Sequence, residues 1–421
     1  MSGVNEQGTL RRPSRWRNML ILLAVIGPGI ITASVGNDAG GIATYSIAGA
    51  HFGYSTLWIF LPMIIPLVIL QEMCARMGAV TGKGLSDLIR EKYGAKITFY
   101  AMAIFLFSVF INTISEFSGI AAGFELFGVS RFISLPLSAV FIWMIIVKGT
   151  YKSVEKLFLV GALFYIGYII AGFLAKPDWA AVSSEMIRPK FTMSKGYLIM
   201  MMGIIGTTIA PWMQFYQQST VVEKGITMKE YKYTRLDIII GGVTMVVVAF
   251  FIALACAATL FKNGINITTA QDAALALKPL AGPYCSSLFA FGLLNASLFA
   301  AMILPLAAAY SVCEGLGWET GVDKRLKDAP QFYFLFTAMI VLAAGVIMLP
   351  KINLIQVMLL SQVANSVFLP FVLIFMILLI NDKRLMGKYM NSKFFNIVAW
   401  STIVITISLT LALIVTTIMN R

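Results

Sequence analysis

Long apolar stretches alternate with short polar ones along almost the whole chain. A helix needs about 20 apolar residues to cross the hydrocarbon core of a bilayer, so this pattern predicts membrane-spanning helices. The polar connections between the stretches are too short to fold as separate soluble domains. The eleven predicted spans cover residues 18–50, 54–78, 97–127, 132–148, 155–175, 195–220, 234–262, 284–312, 331–349, 351–381 and 394–419.

The composition points to the same class of protein. Hydrophobic residues make up 59% of the 421 residues and charged residues 12%, whereas about 25% of the residues in a soluble domain are charged. We therefore expect an all-α polytopic membrane protein. Residues 1–17 are predicted to be a basic cytoplasmic tail, and residues 18–421 a single transmembrane domain that is monomeric and has the lipid bilayer as its partner.

The basic residues predict the orientation of the chain. A net charge of +13 would suggest nucleic-acid binding in a soluble protein. Here the charges lie between apolar spans, which favours membrane topology and lipid headgroups over a nucleic-acid partner. With the N-terminus in the cytoplasm, 23 of the 32 Lys and Arg residues are cytoplasmic, and an odd number of spans places the C-terminus outside. The cytoplasmic segments are then residues 11–17, 76–96, 148–156, 224–235, 324–327 and 383–394.

Neither the cysteines nor the motifs of known enzymes indicate a metal site or a catalytic function in this sequence. The four cysteines, Cys74, Cys256, Cys285 and Cys313, are scattered without a Cys-x-x-Cys pair. We therefore expect buried structural thiols rather than a thiolate metal site, and no bound cofactor. The chain also has no nucleotide-binding loop, zinc-protease motif or nucleophile elbow, so an enzyme is the least favoured interpretation.

Two of the predicted spans contain residues that interrupt a helix. The first holds Gly-Asn-Asp-Ala-Gly-Gly at residues 36–41, and as a straight helix it would measure about 48 Å, against about 30 Å for a bilayer core. The sixth holds Pro211, which lacks a backbone donor and clashes with the preceding turn. Breaks five spans apart indicate two inverted repeats around a site in the middle of the membrane. The repeats are residues 18–175 and 195–381, followed by an extra helix at residues 394–419.

Asp38 is the strongest candidate for a binding residue. A carboxylate in the middle of a membrane is costly unless it faces a cavity or a partner. Inside a glycine-rich break it can meet a cation together with free backbone carbonyls such as those near Gly41. The alternative is a structural cap, in which Asp38 accepts from backbone N–H groups near Gly41 and begins the second half-helix.

Further candidates lie in three other spans. Glu116 is the next acid within the membrane and is expected to line the site, either as a proton carrier or as a buried ionic partner. Thr207 and Ala210 precede Pro211, where unwound backbone exposes carbonyls, and Gln362 in the tenth span can face the same cavity. Gln217 and Gln218 are assigned to hydrogen bonding between helices, and Glu72 to an ion pair with Arg76 at the membrane interface. Glu314, at the start of a cytoplasmic loop, is expected to be solvated.

These residues resemble the Nramp family of divalent-metal transporters, a resemblance that runs from residue 27 to 371. Gly27-Pro-Gly29 and Asp38-Ala-Gly-Gly41 match the family's first-helix GPG and DPGN motifs at the same spacing. Gly206 to Ser219 aligns without gaps on its sixth-helix MPH motif. Other matching segments are Gln71 to Lys83, Ser115 to Gly119, Ser361 to Val363, and Leu369 to Phe371. The resemblance implies a LeuT-type fold and a divalent metal cation as substrate. We expect Asp38 to bind this ion or its waters, helped by backbone carbonyls near Gly41, Thr207 and Ala210 and by Gln362.

The departures from the family pattern suggest a particular substrate. Gly41 replaces the metal-binding Asn, Ala210 the metal-binding Met, and Trp212 the adjacent His. Loss of the thioether leaves oxygen ligands, which favour a hard cation, and the smaller residues predict a wider cavity. This pattern resembles the Nramp-related magnesium transporters, a branch that carries Mg²⁺ and also Mn²⁺.

The same departures affect proton coupling and the place of Trp212. Gln217 replaces a second His and Thr113 an acid, so Glu116 alone remains as a possible proton carrier. Trp212 either narrows the path and contacts coordinated water, or packs in the core.

The sequence thus predicts a Mg²⁺ importer of the plasma membrane that also accepts Mn²⁺, works by alternating access and moves no proton. Two rival functions remain open. One is a proton-coupled Mn²⁺ or Fe²⁺ symporter, and the other is an amino-acid or other organic-solute carrier on the same fold. Asp38 argues against an anionic carboxylate group at this position, which disfavours the second rival.

Overall fold

The structure, a computed structural model, describes residues 36–148, 164–322 and 324–419, and all regular secondary structure in these ranges is helical. The predicted tail, most of the first predicted span and the first part of the fifth lie outside the described residues. The longer helices are α1 Ala39–Phe52, α2 Phe60–Thr81, α3 Leu85–Leu126, α4 Arg131–Val147, α5 Phe164–Leu174, α6 Trp179–Ile187, α7 Lys195–Thr208, α8 Pro211–Glu223, α9 Tyr231–Thr259, α10 Cys285–Leu316, α11 Pro330–Ile347, α12 Leu354–Ile380 and α13 Lys393–Met419.

These helices confirm the all-α membrane architecture. Within the described residues, eight helical stretches are long and apolar enough to cross a bilayer, and α4 and α5 are shorter apolar helices. Each predicted span from residue 54 onward has a helix at its position, with bounds that differ by a few residues in most cases. The described residues do not establish the predicted total of eleven.

The largest difference from the predicted bounds is at α3, which begins at Leu85 rather than near residue 97. Its backbone is interrupted at Gly94, where φ is 78° and ψ is 170°. Only glycine adopts this conformation without strain, so the segment before Gly94 is a separate short helix joined to the spanning one. Polar residues such as Asp87 and Arg90 interrupt the apolar run in this short helix, so a prediction based on the length of apolar stretches did not include it.

Packing brings the helices α1, α3, α7 and α12 together at the centre of the protein. The helix α3 packs most extensively against α10 and also runs along α12, while α12 lies against α7. The helix α1 packs against α9 and contacts α3, α7 and α12. The two predicted breaks, before α1 and between α7 and α8, are therefore enclosed by α3 and α12.

Three expectations from the sequence about individual side chains can be tested against the structure. Glu72 and Arg76 form the predicted ion pair at 3.1 Å, and Tyr231 of α9 donates a hydrogen bond to Glu72. The expectation that Glu314 is solvated is wrong, because its Oε2 atom is buried and packs over Gly84. The four cysteines are free and buried, as expected of structural thiols.

Candidate substrate site at the two helix breaks

Asp38 is the residue at which the first break ends and α1 begins. Its backbone is extended (φ −68°, ψ −174°), and its Oδ1 atom accepts a hydrogen bond of 2.6 Å from the N–H of Gly41. The capping contact that the sequence offered as an alternative is therefore present. It orients the carboxylate, which is 3% exposed, at the positive end of α1. Capping and cation binding are compatible, because a carboxylate has two oxygens and about four acceptor positions.

The second break has the geometry expected from Pro211. The helix α7 ends at Thr208, Ala210 is extended (φ −78°, ψ 143°), and α8 begins at Pro211. In a continuous helix the carbonyl of Thr207 would accept from the N–H of residue 211, but proline has none. The Thr207 carbonyl is therefore free of helical bonding for a chemical reason. The carbonyl of Ala210 accepts a hydrogen bond of 3.2 Å from Met213 N–H.

Glu116 of α3 reaches the first break from the side. Its Oε2 atom accepts a hydrogen bond of 3.3 Å from the N–H of Ala39, the residue that follows Asp38. The two acids therefore lie at the same end of α1. Both acids are buried, so a divalent cation is the natural counter-charge when the pair is ionised.

Gln362 of α12 lies between the two breaks and touches both. A Cβ atom at Gly40 would lie 1.8 Å from Gln362 Nε2, and a Cβ at Gly206 would lie 1.9 Å from the carbonyl oxygen of Gln362. Because Gly40 and Gly206 have no side chain, α12 can approach both segments more closely than it could if any other residue stood at these positions. Gln362 therefore lies against Gly40 of α1 on one side and Gly206 of α7 on the other.

The environment of Gly41 differs from the expected wider cavity. A Cβ at this position would lie 2.9 Å from Thr207 Oγ1, 3.1 Å from the carbonyl oxygen of Gly36 and 3.3 Å from Asp38 Oδ1. The space left by the missing side chain is thus already filled in this conformation. Gly41 also lies inside α1, where its own carbonyl faces the following turn. Its visible role is to donate its N–H to Asp38, and the carbonyl that approaches the site here belongs to Gly36.

Trp212 is buried next to the second break, with 1% of its surface exposed. Its indole N–H has no hydrogen-bond partner among the residues that the structure describes. Its ring lies 6.0 Å from that of Tyr216.

Two further contacts at the site were not anticipated. Tyr165 of α5 donates a hydrogen bond of 2.7 Å to the carbonyl of Asn37, inside the first break, and no sequence signal marks this residue. Asn112 of α3 pairs with Asn365 of α12, which in turn contacts Gln362. An amide four residues before Glu116, on the same helix face, was the available signal for Asn112.

Most of the candidate ligands at the site are oxygen atoms. No group of three or more His, Cys, Asp and Glu side chains within residues 36–148, 164–322 and 324–419 could hold a metal ion. Around the breaks the structure instead brings together the carboxyl groups of Asp38 and Glu116, the hydroxyl of Thr207 and the carboxamide of Gln362. The side chains of Met213 and Met245 lie beside Gly36. Ala210 contributes a methyl group and a carbonyl.

Within the described residues, buried polar groups gather where α1 begins and where α7 and α8 are separated, an arrangement typical of multi-pass membrane transporters with broken helices. The sequence profile described as "Natural resistance-associated macrophage protein-like", the Nramp family, matches residues 29–416, and the chain belongs to this family. Members of this family are transporters and not enzymes.

Comparison with individual proteins agrees with this assignment. The divalent metal cation transporter MntH of Bacillus subtilis (strain 168) is 27% identical over 408 residues, which cover 94% of this chain and 93% of that protein. The crystal structure of the Eremococcus coleocola manganese transporter superposes with a TM-score of 0.76 at 21% identity, covering 98% of this chain and 88% of that one. The nucleobase-cation-symport-1 family transporter Mhp1 gives a TM-score of 0.57 at 14% identity, covering 93% and 91%. Both structures share the fold predicted from the two breaks.

Proposed function

We propose that this protein transports divalent metal cations across the plasma membrane, with Mg²⁺ as the main substrate and Mn²⁺ also accepted. Transport proceeds by alternating access, inward, and without a co-transported proton. The protein works as a monomer with a cytoplasmic N-terminus and an external C-terminus. The divalent-metal part of the proposal follows from membership of the Nramp family, and the rest depends on the residues at the breaks.

The observation that carries the preference for Mg²⁺ is the absence of sulfur and imidazole at positions 210 and 212. Ala210 and Trp212 stand where the family pattern has Met and His, so these two side chains offer no soft ligand. The groups that remain are a carboxylate at Asp38, the Thr207 carbonyl and the Gln362 carboxamide. Hard oxygen ligands suit Mg²⁺ and Mn²⁺ and give no advantage to softer transition metals.

Mg²⁺ gives up its water reluctantly and normally keeps several water ligands in protein sites. Because the space at Gly41 is filled, room for a hydrated ion has to come from movement of α1 relative to α7. Alternating access requires such a movement between the interrupted helices and their surroundings. The unpaired indole N–H of Trp212 gives water a partner along the path.

Transport without protons is supported by the neutral residues around the site. Thr113, Trp212 and Gln217 occupy positions that are acidic or imidazole in the family pattern, and Thr113 is occupied by a hydrogen bond of 2.9 Å to the carbonyl of Val109. The position of Glu116 beside Asp38 is the one observation that favours the rival, a proton-coupled Mn²⁺ or Fe²⁺ symporter. A proton that must leave when the ion binds would be one route to coupling.

Uptake into proteoliposomes, at a fixed membrane potential and with a Mg²⁺-sensitive dye and a pH-sensitive dye in parallel, separates these functions. We expect saturable Mg²⁺ influx with no accompanying acidification, and weak competition by Cd²⁺. Mn²⁺ influx with protons and no Mg²⁺ influx would establish the symporter instead. Vesicles that contain the Asp38→Asn variant serve as the leak control.

A further inference from the structure

Three buried carboxamides form a chain from α3 to the substrate site. Asn112 of α3 and Asn365 of α12 face each other in a reciprocal pair, with Nδ2 of Asn112 2.5 Å from Oδ1 of Asn365 and Nδ2 of Asn365 2.8 Å from Oδ1 of Asn112. Asn365 Nδ2 also donates a hydrogen bond of 2.8 Å to Oε1 of Gln362. All three side chains are at most 1% exposed.

The orientation of each amide in this chain follows from one backbone carbonyl. Asn112 Nδ2 lies 2.9 Å from the carbonyl oxygen of Ser108, which can only accept, so the nitrogen of Asn112 must be on that side. The same nitrogen faces Asn365, which must therefore present its oxygen to Asn112 and its nitrogen to Asn112 Oδ1. That nitrogen also faces Gln362, which must present its oxygen. The usual ambiguity of amide orientation is thus removed by hydrogen-bond logic.

In this orientation the Nε2 atom of Gln362, and not its Oε1 atom, faces the first break. Its Oε1 atom, the one that can bind a cation, accepts from Asn365, while its Nε2 atom packs against Gly40 and donates to Ser361 Oγ at 3.2 Å. An amide N–H₂ group is a donor and cannot bind a cation. Rotating the amide by half a turn would bring Oε1 to the break but set two N–H₂ groups, those of Gln362 and Asn365, against each other.

We propose that Asn365, held by Asn112, is a positioning residue that keeps the Gln362 carboxamide oxygen away from the substrate cation. The oxygen reaches the ion or one of its water ligands only when the Asn365–Gln362 hydrogen bond opens. The inference rests on the proposed function, because it takes Gln362 as a ligand of a divalent cation. The proposal also links the occupancy of the site to the contact between α3 and α12, because Asn365 bonds both Gln362 at the site and Asn112 of α3.

The test is a double-mutant cycle on cation affinity. Asn365→Leu has nearly the same shape but donates nothing to Gln362, so the competition for Oε1 disappears. We expect the dissociation constant for Mn²⁺ and Mg²⁺, measured by titration calorimetry on purified protein, to fall about fivefold, as for the loss of one opposing hydrogen bond. In a Gln362→Met background the same substitution should leave the dissociation constant unchanged. KM for uptake should fall with the dissociation constant, with little change in maximal rate.

Two control variants distinguish a folding defect from the proposed role of Asn365. Asn365→Leu strands the buried Asn112 amide, and the double variant Asn112→Leu/Asn365→Leu removes both partners and should show the same gain in affinity. Ser118→Ala removes another hydrogen bond between the same two helices, from Ser118 Oγ to the carbonyl of Leu354 at 2.9 Å, and should leave affinity unchanged.

Two results would overturn the assignment of Asn365. One is unchanged or weaker cation binding by Asn365→Leu and the double variant, and the other is an equal gain in the Gln362→Met background. The proposed Mg²⁺ function fails separately, if wild-type protein binds and transports Mn²⁺ but not Mg²⁺. In that case the cycle can still be completed with Mn²⁺.

Discussion

At the scale of single residues, Asp38 has two roles that can be separated by substitution. Its Oδ1 caps α1 through Gly41, and its charge is proposed to bind the ion. Asn caps a helix about as well as Asp, whereas Ala costs about 1 kcal/mol. We therefore expect Asp38→Asn to keep the thermal stability of the wild type in detergent and to lose Mg²⁺ uptake, and Asp38→Ala to lose both uptake and some stability. Normal uptake by Asp38→Asn would remove Asp38 from the site.

Ala210 is the residue whose replacement should restore soft selectivity. A thioether at this position would lie beside the free Thr207 carbonyl and favour softer ions. Ala210→Met should therefore increase the inhibition of Mn²⁺ uptake by Cd²⁺ about tenfold, the change that corresponds to about 1.4 kcal/mol. Ala210→Leu has similar bulk without sulfur and is the matched control. An equal effect of both substitutions would mean that size, and not the sulfur atom, determines selectivity.

The residues of the site were predictable to different degrees. Asp38, Glu116 and Thr207 stand out in the sequence because an acid in an apolar span, or a residue four before a proline, has a local physical consequence. The crowded space at Gly41 was not predictable, since it depends on Thr207, which is distant in sequence. The orientation of the Gln362 amide likewise depends on a chain of contacts that begins at Ser108.

At the scale of helices, the contact between α7 and α12 depends on Gly206. A Cβ there would meet backbone atoms of α12, which cannot move as a side chain can. Gly206→Ala should therefore destabilise the protein by about 1–3 kcal/mol and reduce transport, as judged by thermal unfolding in detergent and by uptake. At Gly345 of α11 an added methyl group would meet open space, with no neighbouring atom within 4 Å, so Gly345→Ala should be neutral or stabilising. Equal stability of the two variants would contradict this account of the contact.

The helices themselves were largely predictable, and their pairing was not. The lengths of α9, α11 and α13 follow from runs of apolar residues, and the breaks before α1 and α8 follow from glycine and proline. These are local properties of the chain. The close approach of α12 to both breaks requires Gly40 and Gly206 to face the same helix, which no local pattern shows.

At the scale of the whole molecule, a transporter without proton coupling can use the membrane potential alone. The potential supplies about 2.3 kcal/mol per charge per 100 mV, and so about 4.6 kcal/mol for a divalent ion. This energy supports an accumulation of a few thousandfold. Alternating exposure of Asp38 to the two sides of the membrane is sufficient for the gradient to develop.

The steady-state accumulation ratio of Mg²⁺ in proteoliposomes tests this mechanism. When the potential is set by a K⁺ gradient with an ionophore, the ratio should change about tenfold per 30 mV and stay constant when a pH gradient is imposed. Glu116→Gln should give the same dependence on potential, because the amide oxygen can still accept from Ala39 N–H and no proton is required. Dependence of the ratio on the pH gradient, lost in Glu116→Gln, would instead show that Glu116 carries a proton with each ion.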